Sequence, residues 1–239
     1  MHRVIVLIPA RYGSTRFPGK PIAKINGKEM ILHVIENCLK AGFDYAVVTD
    51  DAKIESVVRD NNYEVVRVDD DVETGSERIA LAYKRFFAEK NYDYIVNVQG
   101  DEPLLRAQDI QKVVESHMKS GLDIGTAIRI NENFEDYNNP NIVKCVYAKS
   151  GKAMYFSRSS ISHQQEFKQF NQHIGIYSYK AQALLKFVDY PVSELEKSER
   201  LEQLRALDNG LEINITQLEV DLIGVDNPED IKKVEKVLL

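Results

Sequence analysis

Short, mostly β-branched apolar runs recur through the first half of the chain, at Val4 to Ile8, Tyr45 to Thr49, Glu64 to Val68 and Tyr94 to Val98. Their near-continuous apolar character predicts strands buried on both faces. Between them, Met30 to Ala41, Asp51 to Asn61 and Gly75 to Glu89 have helix-compatible lengths. Ile110, Val113, Val114 and His117 follow the i, i+3, i+4, i+7 rule of a helix with one apolar face. Such alternation predicts a parallel sheet with right-handed crossovers. After Gly121 the rhythm changes: the runs Ile124 to Ile130, Ile142 to Tyr147 and His173 to Tyr179 follow one another without long helical patterns between, which predicts a mixed sheet with antiparallel strands. A helix is expected from about Glu194 to Leu207, stopping at Asn209-Gly210, and a last one starts at Asn227-Pro228 with Glu229 and Asp230 in its first turn. The expected architecture is α/β, a mostly parallel sheet flanked by helices with a smaller mixed α/β lobe. It is one domain, 1–239, in two halves, 1–121 and 122–239.

In an open parallel sheet, ligands bind beyond the carboxyl ends of the strands. The unusual segments stand there: Pro9 to Pro21 after the first strand, Thr49-Asp50-Asp51 after the second, and Gln99 to Pro103 after the strand ending at Val98. Charge sharpens this. The chain carries a net −6, yet from Met1 to Lys28 it has no acidic residue and six basic ones, Arg3, Arg11, Arg16, Lys20, Lys24 and Lys28. A basic patch confined to one segment of an otherwise acidic chain points to a local anion site and argues against a general nucleic-acid binder. With 44% hydrophobic and 28% charged residues, the composition is that of a globular protein. The apolar run at Val4 is broken by Pro9 and Arg11, too short for a membrane span or a cleaved signal, so the expected location is the cytoplasm with no membrane insertion. Cys38 and Cys145 have no CxxC spacing and read as small core residues.

The segment Ile8-Pro9-Ala10-Arg11-Tyr12-Gly13-Ser14-Thr15-Arg16-Phe17-Pro18-Gly19-Lys20-Pro21 combines glycines, two hydroxyls and three fixed positive charges, suited to cradling a triphosphate. It is not a P-loop: five residues separate Gly13 from Gly19 where that motif has four, and Pro21 stands in place of its Ser or Thr. No GxGxxG occurs, which argues against a dinucleotide cofactor. Composition alone leaves open a solvated basic loop.

The segment resembles the signature IPARxxSxRxPGKP of the CMP-Kdo synthetase family. Thr49-Asp50-Asp51 is similar to that family's TDD, Thr74-Gly75-Ser76-Glu77-Arg78 to its SGTER, and Asn97-Val98-Gln99-Gly100-Asp101-Glu102-Pro103 to its NxQGDEP. Tyr155 to Arg158, His173 to Tyr177, Leu201 to Arg205 and Val225 to Asp230 continue the match in order, so the resemblance spans Ile8 to Asp230. Thr74 and Ser76 exchange places with the family's Ser and Thr, keeping both hydroxyls. After Arg158 the family runs toward a Pro-Ile-Pro turn, whereas this chain reads Ser159-Ser160-Ile161-Ser162 and then a polar stretch to Asn171. Asn227 replaces a Thr, an exchange between helix-capping residues.

The resemblance implies a Rossmann-like fold of the nucleotide-diphospho-sugar transferase type. It also implies a magnesium-dependent cytidylyltransferase that moves CMP from CTP to the acidic eight-carbon sugar 3-deoxy-D-manno-octulosonate (Kdo), for the lipopolysaccharide inner core, and acts as a homodimer. In that reading 1–121 is the nucleotide-binding half and 122–239 the sugar-binding and dimerisation half. Lys20, Arg11 and Asp101 are the catalytic candidates. Ala10, Arg11, Ser14, Arg16, Lys20, Gly75, Ser76, Arg78 and Gln99 are candidates for the nucleotide, and Gln99, Arg158, His173, Tyr177, Glu202 and Gln203 for the sugar. Asp101 and Asp226 offer the hard oxygen ligands that Mg2+ prefers. Taken alone, Asp226 reads as a helix-flanking residue; the resemblance makes it a metal ligand. Competing readings are a cytidylyltransferase for 8-amino-Kdo or another acidic sugar, and a catalytically silent nucleotide-binding homologue. Retention of Lys20, Asp101 and Asp226 together argues against silence.

Overall fold

The computed structural model describes residues 2–13, 17–220, 223–225 and 227–238, in two compact units, 1–111 with 221–239 and 112–220. The first unit is built on β1 (Val4–Ala10), every residue of which is buried. A two-residue hairpin follows, β2 (Lys24–Ile25) and β3 (Lys28–Glu29), turned by Asn26-Gly27 with φ of 48° and 80°. That pair is the strongest short hairpin signal a sequence carries, because both central residues must be left-handed. Next come α1 (Met30–Lys40), β4 (Asp44–Thr49), α2 (Ala52–Asp60), β5 (Val65–Arg67), α3 (Gly75–Ala82), β6 (Tyr94–Asn97) and α4 (Ala107–Ser120), which passes into the second unit at Lys112.

β1 pairs in parallel with β4 on one side and β6 on the other, and β5 lies beyond β4. All four strands expected from the first half therefore form one parallel sheet in this unit, with both faces of β1 covered. The helices start where local chemistry dictates. Asp51 caps α2 by accepting from the amides of Lys53 (2.8 Å) and Ile54 (3.1 Å). Thr74 and Glu77 form a reciprocal capping box at α3. The expected helix Gly75 to Glu89 is continuous but changes winding, widening at Tyr83–Phe87 and tightening at Ala88–Lys90.

The second unit contains β7 (Ile124–Asn131), α5 (Phe134–Asn138), β8 (Lys144–Tyr147), β9 (Ala153–Ser157), β10 (Phe170–Lys180), α6 (Ala181–Asp189), α7 (Glu194–Glu199), α8 (Gln203–Asp208) and β11 (Ile213–Gln217). β7 lies between antiparallel β10 and parallel β11, while β8 joins β10 through Lys144 and carries β9 as an antiparallel neighbour. The mixed character expected after Gly121 is present. The single helix expected from Glu194 to Leu207 is not: it breaks into α7 and α8. Arg200 takes a left-handed backbone (φ 53°) and gives its amide to the Glu196 carbonyl, which ends α7. The chain then restarts so that Arg205 of α8 reaches Glu196 of α7.

The last helix, α9 (Pro228–Val237), starts where its caps indicate, with the Asn227 amide on Asp230 Oδ2 at 3.1 Å. It belongs with the first unit, unlike the 122–239 half read from the sequence. Val225 and Val234 pack in one buried cluster with Ile25, Met30 and Leu104, and Glu235 Oε1 accepts the Asn26 amide at 3.0 Å. The apolar stripe of α9 thus covers the β2–β3 hairpin. Both cysteines are buried and unbridged, and burial pushes each thiol up to about 12, consistent with core residues. No helix among the described residues is long and apolar enough to cross a membrane.

His117 on α4 is fully buried in the second unit. Its Nε2 lies 3.2 Å from the Leu122 carbonyl and must donate there, so Nδ1 accepts from the Ser178 hydroxyl at 2.8 Å. Burial pushes its pKa down from 6.5 to about 4. Between those values the unfolded chain binds a proton that the folded chain refuses, so stability falls as pH drops through that window. The expected slope from this group is at most about 1.4 kcal/mol per pH unit. Comparing urea unfolding of the wild type and His117→Gln from pH 7 to 4 should show the variant's curve flatter by one proton; parallel curves would refute the assignment.

Candidate active site

Two strand ends and one helix start build a cleft in the first unit. β1 ends in Pro9, Ala10 and Arg11; Val72 to Gly75 and Arg78 come from the entry to α3; Gln99 follows β6. The cleft's volume is about 110 Å³. Five of the sequence candidates, Ala10, Arg11, Gly75, Arg78 and Gln99, line it, and Ser76 is buried in the first turn of α3. Ser14, Arg16 and Asp226 lie outside the described residues. The cleft is narrow because Gly75 has no side chain: a Cβ there would stand 3.3 Å from the Pro9 ring and 3.5 Å from Gln99 Nε2. Gln99 is held by donating Nε2 to Asn97 Oδ1 at 3.1 Å.

The loop after β1 closes on itself, the Gly19 amide donating to the Tyr12 carbonyl at 2.9 Å. Gly19 is left-handed (φ 72°) and a 3-10 turn, Lys20–Ile22, follows with Pro21 inside it. This turn drives the Lys20 side chain inward until it is only 13% exposed. Its Nζ donates to Asp101 Oδ2 and, at 2.8 Å, to the Val225 carbonyl. One ammonium therefore joins the loop after β1, the loop after β6 and the segment that leads into α9. Two catalytic candidates far apart in sequence are in direct contact.

Arg78 is almost fully buried on α3. Its Nη1 donates to the Val68 carbonyl at 2.6 Å and its Nη2 pairs with Asp50 Oδ2 at 2.8 Å. The sequence proposed Arg78 as a nucleotide residue; the structure places it in the cleft wall, tied to the ends of β4 and β5. Asp50, quoted in the motif after β4 but given no role there, is its counter-ion.

Of the sugar candidates, Gln99 lies in the first unit and the other five in the second. His173 and Tyr177 sit on β10 with ring centroids 5.5 Å apart, and Phe156 meets His173 edge-on at 5.0 Å. A bulge between Ile174 and Tyr177 turns the Ile176 carbonyl toward Thr126. Thr126 donates its only hydroxyl proton to that carbonyl at 2.8 Å, so its oxygen accepts from His173 Nε2, 2.9 Å away. His173 Nδ1 is then the acceptor of a neutral imidazole. Burial pushes the His173 pKa down to about 3, so this ring carries no charge at neutral pH. Burial raises the Tyr177 phenol well above its usual value, and the neighbouring Tyr179 and Glu202 push it the same way. Gln203 is buried, and its Nε2 has no hydrogen-bond partner among the described residues.

Arg158 fixes the corner between α7 and α8. Its Nε, Nη1 and Nη2 donate to the carbonyls of Glu199 (2.8 Å), Pro140 (3.1 Å) and Arg200 (3.3 Å). Lys144, also buried, holds the carbonyls of Asn139 and Arg158 at 2.7 and 2.9 Å. Neither Thr126 nor Lys144 figured among the sequence candidates. Each lies inside an ordinary strand pattern, and only strand pairing reveals what it touches.

Comparison with known proteins extends over nearly the whole chain. The cytidylyltransferase family profile matches residues 5–213. A 3-deoxy-manno-octulosonate cytidylyltransferase of Thermodesulfovibrio yellowstonii is 40% identical, over 98% of this chain and 97% of the relative. One of Syntrophobacter fumaroxidans is 41% identical, over 99% of this chain and 97% of the relative. A solved CMP:2-keto-3-deoxy-manno-octonic acid synthetase, complexed with CTP, superposes with a TM-score of 0.92 at 32% identity, covering 99% of this chain and 98% of that one. The parallel sheet, the inward lysine on its acidic partner and this agreement over nearly the whole length lead to one conclusion: the chain belongs to the cytidylyltransferase family, among the 3-deoxy-manno-octulosonate cytidylyltransferases.

Proposed function

We propose that this protein transfers CMP from CTP to Kdo, releasing pyrophosphate and supplying CMP-Kdo for the lipopolysaccharide inner core. The observation that carries the reading is the Lys20 ammonium held between Asp101 and the Val225 carbonyl at the carboxyl end of a parallel sheet. That is where such sheets bind nucleotides. The anomeric hydroxyl of the sugar attacks the α-phosphorus and pyrophosphate leaves, with no covalent enzyme intermediate. Transfer of this kind depends on alignment and on neutralising charge, and fixed cations supply both. Lys20 and Arg11 meet the phosphates, with Lys20 nearest the charge that develops on the leaving group. Gly75, Ser76 and Gln99 meet the cytidine, where an amide offers the donors and the acceptor that a pyrimidine edge complements.

Magnesium fits this donor set. Among the described residues no three His, Cys, Asp or Glu side chains gather around one point. The described donor is a single hard carboxylate, Asp101, appropriate to an ion held mostly by phosphate oxygens and water. Asp101 and Asp226 would hold it. When bound, it supplies charge neutralisation along the triphosphate.

For the sugar, the orphaned Gln203 amide and the neutral His173 supply hydrogen bonds, together with Tyr177 and Glu202. The positive field at the sugar carboxylate comes from Arg158, whose guanidinium stays fixed on backbone carbonyls. The cytoplasmic location rests on the short, interrupted apolar run at Val4, and the homodimer on the resemblance to the family. Incubation with CTP, Mg2+ and Kdo should release pyrophosphate stoichiometrically with CMP-Kdo. ATP, GTP and UTP, and 8-amino-Kdo in place of Kdo, should turn over far more slowly. Equal or faster release with another nucleotide or with the amino sugar would reassign the substrate.

A further inference from the structure

We infer that Asp50 is a positioning residue for the nucleotide, acting through Arg78; this rests on the reading of the cleft as the CTP site. The cleft has two walls. One consists of the ends of β1 and β6, carrying Pro9, Ala10 and Gln99, and the other is the first turn of α3, carrying Thr74 and Gly75. Their separation is set closely, since Gly75 leaves no room for even a methyl group against Pro9 without a shift of a few tenths of an ångström. α3 is held by Arg78, one turn beyond Gly75 and also lining the cleft. The Arg78 guanidinium bridges Asp50 at the carboxyl end of β4 (2.8 Å) and the Val68 carbonyl just after β5 (2.6 Å). Val68 is itself tied to β4 by its amide on the Thr49 carbonyl at 2.9 Å.

The charge arithmetic explains why this link needs a carboxylate. The Arg78 side chain is 6% exposed and that of Asp50 33% exposed. A guanidinium so deeply buried requires an anion or full hydrogen bonding, and Asp50 is the anion it pairs with. Without it, Arg78 is drawn toward the other anions in its field, Asp70 and, in the working enzyme, the triphosphate. α3 would then move with it. Asp50 therefore keeps Arg78 as a wall of the cleft instead of a free phosphate ligand.

The test uses Asp50→Asn, which keeps the shape and one acceptor oxygen but removes the charge. CTP affinity is read by titration calorimetry without sugar, alongside KM for CTP, KM for Kdo, kcat and melting temperature. The expected result is a CTP Kd and KM weakened about 10-fold, as for loss of one hydrogen bond to a charged group, with the sugar KM within twofold of wild type. Asp50→Glu should recover part of the loss. CTP affinity within twofold of wild type overturns the inference, as does loss of CTP affinity, sugar KM and kcat in step with melting temperature, which marks a purely structural pair. Should Asp50→Asn not fold, Arg78→Lys, which cannot reach both partners, reads the same quantity; unaltered CTP affinity in it is equally fatal. Failure of wild-type protein to bind CTP would instead sink the reading of the site.

Discussion

Replacing Lys20 by methionine is expected to lower kcat/KM for CTP by about 10²–10³-fold, the range seen when a fixed donor to developing transition-state charge is removed. Methionine keeps most of the side chain's length and apolar bulk, so the turn at Gly19 to Ile22 should survive. What is lost is a charge delivered from a 13% exposed position to one place, beside Asp101 and the Val225 carbonyl. The effect should fall mainly on kcat, because Arg11 still helps to hold the phosphates. Lys20→Arg should rescue little: a planar fork cannot occupy the compact position of an ammonium between a carboxylate and a carbonyl. Steady-state kinetics with pyrophosphate detection decides this. A methionine variant within threefold of wild type would remove Lys20 from the chemistry.

The largest effect on stability is expected from Arg205→Met. Arg205 meets Glu196 through two contacts of 2.7 Å, with both residues buried, and its guanidinium lies 5.3 Å from the centre of the Phe187 ring. Removing the cation leaves a buried carboxylate without its counter-charge, and breaking such a pair costs about 3–5 kcal/mol. Removing both charges costs less, so the double variant Glu196→Leu, Arg205→Met should recover much of the loss. Urea unfolding of the single and double variants closes the cycle. The sugar KM should rise in the single variant as well, since Glu202 and Gln203 stand on the corner that the pair holds. A single variant as stable as wild type would show that α7 and α8 hold together without the pair.

Much of the fold was legible because it depends on neighbours in sequence. The strands at Val4, Tyr45, Glu64 and Tyr94 were marked by near-continuous, mostly β-branched runs. The starts of α2, α3 and α9 were marked by Asp51, Thr74 and Asn227-Pro228, whose side chains or ring geometry act within one turn. The hairpin at Asn26-Gly27 was also written locally, but its strands are too short to show a hydrophobic period. β9 and β11 lacked clear signals for related reasons, being brief and partly polar. The break at Arg200 carries no glycine or proline, so nothing within one turn announces it.

The candidate site divides along the same line. Sequence alone determined its basic loop, its location after the first strand, and the residue types able to hold a triphosphate, because these depend on charge and on strand-end position. Only the tertiary structure decided that Lys20 rests on Asp101, that Arg78 spans Asp50 and Val68, and that the His173 ring is neutral. Each of these joins residues brought together by strand pairing or helix packing, and each depends on how far water is excluded. Neither spatial proximity nor desolvation is a property of any stretch of residues taken singly.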